Sequence, residues 1–177
     1  MKTVGKVFLT ISAIIMLNAG IFSYSADSVS PLFNKEYAVE ITSLIQDAKE
    51  SIYIVMYCIQ PGENRYHPVN KVLRELIKAH QRGVEIEIIL EIDDKDGYLN
   101  EQNVKAKEIL DAEGIKVRFD SGGTVTHVKL IIIDGYVTVI GSHNWTYTAF
   151  ALNNEVSIVI KDSKIAAESF EYFKNIR

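Results

Sequence analysis

The sequence predicts one α/β domain with helices on both faces of a mixed sheet, a layered α/β/α sandwich. Short runs of aliphatic and β-branched residues alternate with stretches of helical periodicity along the chain. The Asp134-Gly135 pair separates two strand-like runs, so a hairpin makes the sheet mixed rather than wholly parallel. Roughly 150 residues follow a distinct N-terminal segment, enough for one domain with a sizeable core.

The first 25 residues are typical of a secretory signal peptide. Lys2 and Lys6 lie near the start of this segment, and a largely apolar stretch covers 7–17. The segment ends with Ser23-Tyr24-Ser25, whose small residues suit a cleavage site. The alternative is a retained membrane anchor, although the apolar stretch 7–22 is slightly shorter than a bilayer span requires. The sequence therefore predicts export, to the periplasm or outside the cell, with residues 26–177 as the folded domain.

The first half of that domain predicts two helix–strand pairs. An apolar stripe of helical period covers Asn34 to Glu50, and strand Ser51–Tyr57 follows it. Pro68 begins a helix through Gln81 with Gly83 after it, because proline suits the first helical turn and glycine suits the C-cap. Strand Val84–Ile92 completes the second pair.

The second half contains further alternating elements around the hairpin. They are a helix near Asn100–Glu113, a short strand Ile115–Phe119, a glycine-containing loop Asp120–Thr124, hairpin strands Leu130–Ile133 and Tyr136–Ile140, a short helix near Trp145–Phe150, strand Val156–Ile160 and helix Ser163–Asn175. Strands that alternate with helices in this way predict helices on both sheet faces.

Charge and cysteine content narrow the class of protein. Without residues 1–25, which hold two lysines and no acids, the chain has 17 basic and 23 acidic residues, a net charge of −6. Nucleic-acid binders usually present a basic surface, so this charge disfavours DNA or RNA as a substrate without excluding it. Cys58 stands alone, which rules out an intrachain disulfide, and its place after a strand predicts a buried small hydrophobe.

The stretch from Thr126 to Glu155 holds the residues best suited to catalysis. Six of them fit the spacing H-x-K-x4-D-x6-G-S-x-N: His127, Lys129, Asp134, Gly141, Ser142 and Asn144. Side chains alternate along a strand, so His127 and Lys129 share a face where their strand begins. The hairpin returns its second strand to that point, and we therefore expect Ser142 and Asn144 beside them.

These residue types suit attack on a phosphodiester. Such an anion repels nucleophiles, so cations and hydrogen-bond donors must surround its oxygens. Lys129 and Asn144 supply these groups, and the Ser142 hydroxyl can add another. His127 can act as a nucleophile if an acceptor fixes its tautomer, and Glu155 is the candidate acceptor. The alternative is a strand-end histidine satisfied by the fold, next to a surface lysine.

The motif is similar to that of the phospholipase D superfamily, and the chain resembles its single-motif members, the bacterial Nuc-type endonucleases and the mitochondrial cardiolipin hydrolases. The resemblance extends from about Phe33 to the C-terminus and implies a phospholipase D/nuclease-like catalytic domain. It also implies a reaction without metal or cofactor, in which His127 of one subunit forms a phosphohistidine and His127 of another protonates the leaving oxygen. Lys129 and Asn144 of both subunits of a homodimer would then hold the phosphate.

The expected function is an exported phosphodiesterase that cleaves DNA or RNA, because small exported single-motif members are often nonspecific endonucleases. A phospholipase D-type phospholipid hydrolase is the alternative, favoured if the N-terminal segment remains as an anchor. An inactive binding or dimerisation module is an alternative from another class, and the complete motif disfavours it.

Other polar residues have structural interpretations. Asp134 is expected to order the hairpin turn rather than to touch phosphate. The acidic residues Glu91, Asp93, Asp94 and Asp96 fail the EF-hand pattern, so we expect a solvated loop there. His143 is expected to be exposed, with substrate contact as the alternative.

Histidines and tyrosines outside the motif are assigned to the fold as well. His67 and His80 are expected at helix ends. Tyr53 and Tyr57 share one face of their strand and are expected to pack, with a place in the cleft as the alternative.

Overall fold

A computed structural model describes residues 26–177 apart from residues 94, 96 and 122. The predicted signal peptide, residues 1–25, lies outside the described residues. Among the helices of the described part, none is long and apolar enough to cross a membrane.

A seven-stranded mixed sheet forms the centre of the fold. Its strands are β1 Ser28–Phe33, β2 Ser51–Met56, β3 Glu85–Leu90, β4 Lys116–Phe119, β5 Lys129–Ile133, β6 Val137–Gly141 and β7 Val156–Lys161. The helices are α1 Glu36–Asp47, α2 Pro68–Gln81, α3 Gly97–Asp111, α4 Tyr147–Ala151 and α5 Ser163–Asn175. The strand order across the sheet is β1-β7-β6-β5-β2-β3-β4.

Strand direction brings several chain segments to one edge of the sheet. β2, β3 and β4 are parallel, whereas β5 runs antiparallel to β2, with Met56 opposite Lys129. The ends of the three parallel strands therefore lie beside the beginning of β5. We call this row of strand ends, which holds Tyr57, Glu91, Asp120 and His127, the site edge. The term refers to the ends of the strands and not to an outermost strand of the sheet.

Two hydrophobic cores lie on opposite faces of the sheet. The larger core includes Ile41 of α1, Leu76 of α2 and Leu110 of α3. The smaller core lies under α5 and includes Ala166 and Phe173. Successive residues of each central strand point to opposite cores, as pleating requires. The predicted α/β/α layering with a mixed sheet is confirmed.

Strand β1 was not predicted, and its sequence explains why. Five of its six residues are exposed, so it lacks the alternation that indicates a half-buried strand. Pro31 also removes a backbone donor, which strands tolerate at sheet edges. β1 pairs antiparallel with β7 at the edge of the sheet, with Pro31 opposite Ile158. The strand therefore depends on its distant partner rather than on a local pattern.

Asp134 anchors the hairpin between β5 and β6. It has a positive φ of 52° in the turn, and its carboxylate accepts the backbone N–H groups of Lys49 at 2.9 Å, Glu50 at 2.8 Å and Ser51 at 3.0 Å. The turn is thereby attached to the connection between α1 and β2. Asp134 lies at the opposite end of β5 from Lys129, so the structure separates it from the other polar residues of the motif.

Candidate functional site

His127, Lys129 and Tyr57 meet at the site edge. The N–H of Tyr57 donates to the carbonyl of Val128 at 3.0 Å, which holds the end of β2 against the approach to β5. The Tyr57 and His127 rings are 4.4 Å apart, and Lys129 Nζ lies 4.7 Å from the centre of the Tyr57 ring. Lys129 Nζ also donates to the His127 carbonyl at 3.1 Å. The imidazole and the ammonium group therefore contact the same aromatic ring.

The two tyrosines of β2 and its extension have different roles. Tyr53 packs as expected, with its ring 4.5 Å from that of Phe170 and 5.3 Å from that of Phe173. Tyr57 lies in the site instead, so the expectation of simple packing is wrong for it. Its place beside His127 follows from the register of β2 against β5, which the sequence alone does not reveal.

Ser142 and Glu155, at the end of β6 and just before β7, form a second group of polar residues that contact each other. The N–H and the Oγ of Ser142 bond to the backbone at the start of β7, at 3.0 and 3.1 Å. The Ser142 hydroxyl donates to the Glu155 carboxylate, and the Asn153 side chain donates to it at 3.0 Å. Ser142 and Asn153 thus hold the Glu155 carboxylate. The predicted role of Glu155 as the acceptor that orients His127 stays a prediction.

Asn144 lies in the loop between β6 and α4. The next residue, Trp145, donates its backbone N–H to the Cys58 carbonyl at 3.0 Å, and the N–H of Gln60 donates to the Trp145 carbonyl at 2.8 Å. These bonds hold the loop against the chain that follows Tyr57. The Oδ1 atom of Asn144 is buried and has no hydrogen-bond partner among the described residues. The fold therefore leaves this amide oxygen without a partner, in a loop packed against the chain that follows Tyr57.

His143, between two site residues, belongs to the core. Its ring is fully buried and stacks on Tyr37 with 4.1 Å between centroids. Nδ1 pairs with Ser157 Oγ at 2.8 Å, and Nε2 pairs with the Asn34 carbonyl at 3.0 Å. The expectation that His143 is exposed is wrong, and the ring is not available to substrate because both nitrogens are engaged.

Gly141 permits the close approach that places these residues. It lies opposite Ser157 in the pairing of β6 with β7. A Cβ at this position would lie 2.4 Å from Ser157 Cα and 2.1 Å from Ser157 Oγ, closer than atoms can pack. The glycine of the motif is therefore required by the fold, immediately before Ser142.

Burial changes the ionisation of both basic site residues. Burial lowers the pKa of Lys129 to about 8, and the negative charge of Glu155 opposes that change. Burial also lowers the pKa of His127, and the positive charge of Lys129 lowers it further. Near neutral pH, His127 is therefore mainly neutral with a free electron pair, while Lys129 is mainly charged.

Two further carboxyl groups lie buried at the site edge. Glu91 and Asp120 are only 1% and 6% exposed. The Glu91 carboxylate accepts the backbone N–H of Thr126, immediately before His127. The expectation of a solvated loop is therefore wrong for Glu91, while Asp94 and Asp96 lie outside the described residues. Sequence reasoning also missed Asp120, because only the parallel pairing of β3 with β4 brings it beside Glu91.

The site offers a nucleophile, a cation and hydrogen-bonding groups, which together suit an anionic phosphate ester. His127 is exposed, so a substrate can reach its ring. Across the described residues 26–93, 95, 97–121 and 123–177, no cluster of three or more His, Cys, Asp or Glu side chains could hold a metal ion.

Comparisons with known proteins agree with this geometry. Residues 41–177 match the family described as cardiolipin synthase, PLD-like domain. The chain is 32% identical to a phospholipase D of Rickettsia prowazekii over 126 residues, 71% of this chain and 55% of that protein. It is 30% identical to the mitochondrial cardiolipin hydrolase of Xenopus tropicalis over 98 residues, 55% of this chain and 44% of that protein. The chain thus spans about half the length of these relatives.

The fold is also similar to that of a solved structure. Nuc from Salmonella typhimurium, described as a phospholipase D family member, superposes with a TM-score of 0.70 at 27% identity, over 84% of this chain and 93% of that chain. The family match includes every site residue from Tyr57 to Glu155. The chain therefore belongs to the phospholipase D superfamily.

Proposed function

We propose that the protein is an exported, metal-independent phosphodiesterase that cleaves nucleic acid in a site shared by two copies of the chain. The observation that carries this proposal is the pairing of His127 with Lys129 around the Tyr57 ring at an accessible edge. A mainly neutral imidazole beside a charged ammonium group suits nucleophilic attack on an anion.

The phosphate is held by Lys129 and Asn144, with help from Ser142. The Lys129 side chain is 7% exposed, so its charge interacts with an anion more strongly than a charge in open water does. Its pKa of about 8 keeps it protonated at neutral pH. The Asn144 amide N–H₂ is the proposed second donor, in a loop that the backbone bonds of its neighbour Trp145 hold against the chain after Tyr57.

The proposed cleavage has two steps, the formation of a phosphohistidine and its hydrolysis. His127 of one copy attacks phosphorus, forming a P–N bond, while the bond to the leaving oxygen breaks and His127 of the second copy gives that oxygen its proton. The bound anion favours the protonated form of the second imidazole. Water then attacks phosphorus, the P–N bond breaks, and the second imidazole takes the proton from the water. Glu155 is the proposed acceptor that fixes the tautomer of His127.

A second copy of the chain is needed because one His127 cannot act as nucleophile and acid in the same step. We place the contact on the open sheet face, defined as Val29, Phe33, Ile140, Val156 and Ile158. These side chains lie where α5 leaves β1, β6 and β7 uncovered, and they are between 38% and 58% exposed. Val156 directly follows Glu155, so a copy seated on this face comes next to the site.

Nucleic acid is the proposed substrate class, supported by the structural similarity to Nuc. The net charge of −6 for residues 26–177 does not favour a polyanion. Binding must therefore depend on local positive charge, and a homodimer places two copies of Lys129 in one cleft.

A phospholipid substrate is the second candidate, and one observation favours it. An apolar groove of about 560 Å³ lies beside the site, lined by Val128, Leu130, Ile140, Ile165 and Tyr172 among others. Such a groove can accept an acyl chain next to a phosphodiester bound at His127.

The test uses four phosphodiesters in EDTA: plasmid DNA, RNA, phospholipid vesicles and a small bis-aryl phosphodiester. His127→Asn is compared with wild type, and His80→Asn is the matched control because His80 lies in the last turn of α2. We expect cleavage of DNA or RNA by wild type and by the control, and a loss of at least about a thousandfold with His127→Asn.

The other outcomes of this test would support a different function or contradict the mechanism. Cleavage of lipid without DNA or RNA establishes the second candidate. A requirement for Mg²⁺, or full activity of His127→Asn, contradicts the mechanism. If the protein is a folded dimer but cleaves none of the four phosphodiesters, it is an inactive binding or dimerisation module.

A further inference from the structure

The buried carboxyl groups of Glu91 and Asp120 lie side by side at the site edge. They follow the adjacent parallel strands β3 and β4, in which Leu90 lies opposite Phe119. Burial raises the pKa of the Glu91 carboxyl and the negative charge of Asp120 raises it further, so the two groups interact. Two buried like charges in neighbouring positions resist ionising together, and a single proton between them would join two carboxyl groups that otherwise only accept hydrogen bonds.

The remaining bonds of Asp120 support a shared proton. Its Oδ1 accepts the backbone N–H of Ile92 at 3.2 Å. Its Oδ2 is buried, and no N–H or O–H group of the described residues reaches it. A proton held between Oδ2 and the Glu91 carboxyl satisfies this atom, whereas an unshared lone pair buried there is costly.

The pair also closes a loop that leads to His127. The loop begins at Asp120, which lies beside Glu91 at the ends of β4 and β3, and ends at Thr126, whose N–H donates to Glu91. Residues 123–125 between these ends are exposed. One carboxyl pair therefore ties both ends of the loop together, one residue before the nucleophile.

We propose that Glu91 and Asp120 are positioning residues that share one proton and thereby hold the backbone of Thr126 so that His127 is correctly placed. The inference rests on the proposed function, because it assigns a positioning pair to the same site. The proton is shared between two oxygen atoms and is not transferred to substrate.

The environment of the pair determines when that proton is lost. Burial raises the pKa of Glu91 to about 7, and the charges of Asp120 and Asp93 add to the rise. Charged side chains on the surrounding elements are Asp93 and Lys95 after β3, Lys107 on α3, Arg118 on β4, His127 before β5 and Arg177 at the C-terminus. Lys107 and Arg118 are paired with Asp111 and Glu87.

Loss of the proton should loosen the loop. Above neutral pH both carboxylates are charged and repel each other in a poorly solvated position. Glu91→Gln mimics the protonated pair at every pH, because its amide oxygen can accept from Thr126 while its N–H₂ donates to Asp120. Asp120→Asn does the same from the other side, keeping an acceptor for Ile92.

The experiment measures hydrogen exchange of the Thr126 amide by NMR, and kcat and KM on the small phosphodiester, from about pH 6 to 8. In wild type we expect Thr126 exchange to rise about tenfold beyond its intrinsic pH dependence, and kcat to fall more steeply with pH than it does in the variants. Glu91→Gln and Asp120→Asn should remove the rise in exchange and the additional fall in kcat, and should keep the part of the kcat profile that belongs to His127 and Lys129. Glu85→Gln, the same substitution at the exposed start of β3, should behave as wild type.

Identical pH profiles of Thr126 exchange in wild type and Glu91→Gln overturn the proposal. If both variants fail to fold, the wild-type protein alone tests the proposal. A Thr126 exchange rate that shows only its intrinsic pH dependence then contradicts a carboxyl pair that loses a shared proton in this range. The exchange measurement needs no turnover. If the protein cleaves no phosphodiester but its Thr126 exchange changes with pH, the proposed function is wrong and the role of the carboxyl pair stands. If the protein cleaves phosphodiesters but its Thr126 exchange does not change with pH, only the role of the carboxyl pair is wrong.

Discussion

At the scale of single residues, the site is defined by how Tyr57 connects His127 and Lys129. The aromatic face attracts the ammonium group and so partly offsets the cost of burying it. The same ammonium lowers the pKa of the imidazole through its charge. In the proposed mechanism Lys129 therefore has two effects: it binds the anion, and its charge keeps the neighbouring His127 ring neutral.

The lowered pKa of Lys129 predicts a loss of activity at alkaline pH. Its ammonium loses a proton as pH rises through about 8, so phosphate binding should weaken above that value. Lys129→Arg stays charged and should show no such loss, although its turnover should be about tenfold lower because the guanidinium has a different shape. The measurement is kcat/KM from about pH 6 to 10 on the small phosphodiester.

The Glu91→Gln background removes the titration of the carboxyl pair, so the loss above pH 8 can be assigned to Lys129 without a contribution from Glu91. Persistence of the alkaline loss in the Glu91→Gln, Lys129→Arg double variant would show that another group causes it.

At the scale of secondary structure elements, some boundaries could be predicted from local chemistry. Helix α2 begins at Pro68 and α5 at Ser163, as predicted. In α5 the Asp162 side chain caps the first turn by accepting the N–H of Ile165 at 2.8 Å. Pairing between strands could not be predicted in the same way. Strand β1, Tyr57 in the site and the Glu91 carboxyl all depend on which strands become neighbours.

The motif divides into residues at the site edge and residues that hold the fold. Asp134 shares the motif spacing with His127, and it orders the hairpin turn at the opposite end of β5, as its place in a turn predicts. The sequence could not show that His143 is buried, because the stacking partner Tyr37 lies on α1. Spacing along the chain therefore predicts a set of candidate residues, and the three-dimensional pairing shows what each of them contacts.

Asp134→Asn is expected to reduce stability without changing catalysis. The substitution replaces a charged acceptor of three backbone N–H groups with an amide, at a cost of about 1–3 kcal/mol. Urea unfolding measures this loss, and kcat of the folded variant should equal that of wild type. Asp47→Asn, at the exposed end of α1, is the control. Unchanged stability with reduced kcat would place Asp134 in the reaction.

Gly141→Ala is expected to disturb the junction of β6 with β7. The new Cβ would lie 2.4 Å from Ser157 Cα, so the strands must separate. Overpacking of this kind costs about 1–3 kcal/mol, and the shift should also reduce activity because Ser142 is the next residue. Thermal unfolding provides the measurement. Gly97→Ala, where no atom lies within 4 Å, should leave the unfolding temperature nearly unchanged.

At the scale of the whole molecule, the two halves of the sheet differ in how they are covered. Helix α5 packs on β2, β5 and β6 and encloses the smaller core. Beyond it, β7 presents Val156 and Ile158 to solvent while Ser157 points inward to His143. A strand with apolar residues outside and a polar residue inside suits a surface that becomes buried on association.

Ile158→Lys is therefore expected to produce a folded monomer with little activity. The lysine places a charge in the centre of the open sheet face, which an apolar contact between two copies does not tolerate. Sedimentation should show a dimer for wild type and a monomer for the variant, with kcat lower by at least about a hundredfold. Val39→Lys is the matched control, since Val39 is 71% exposed on α1, away from that face.

A mixing experiment separates loss of dimer from loss of the shared site. Wild type mixed with excess His127→Asn should form dimers that hold one imidazole, so activity per wild-type chain should fall as mixed dimers replace wild-type dimers. The Ile158→Lys protein mixed with His127→Asn should show no further fall, because it does not associate. An active Ile158→Lys monomer, or wild-type chains that keep full activity in mixed dimers, would mean that each chain has a complete site of its own.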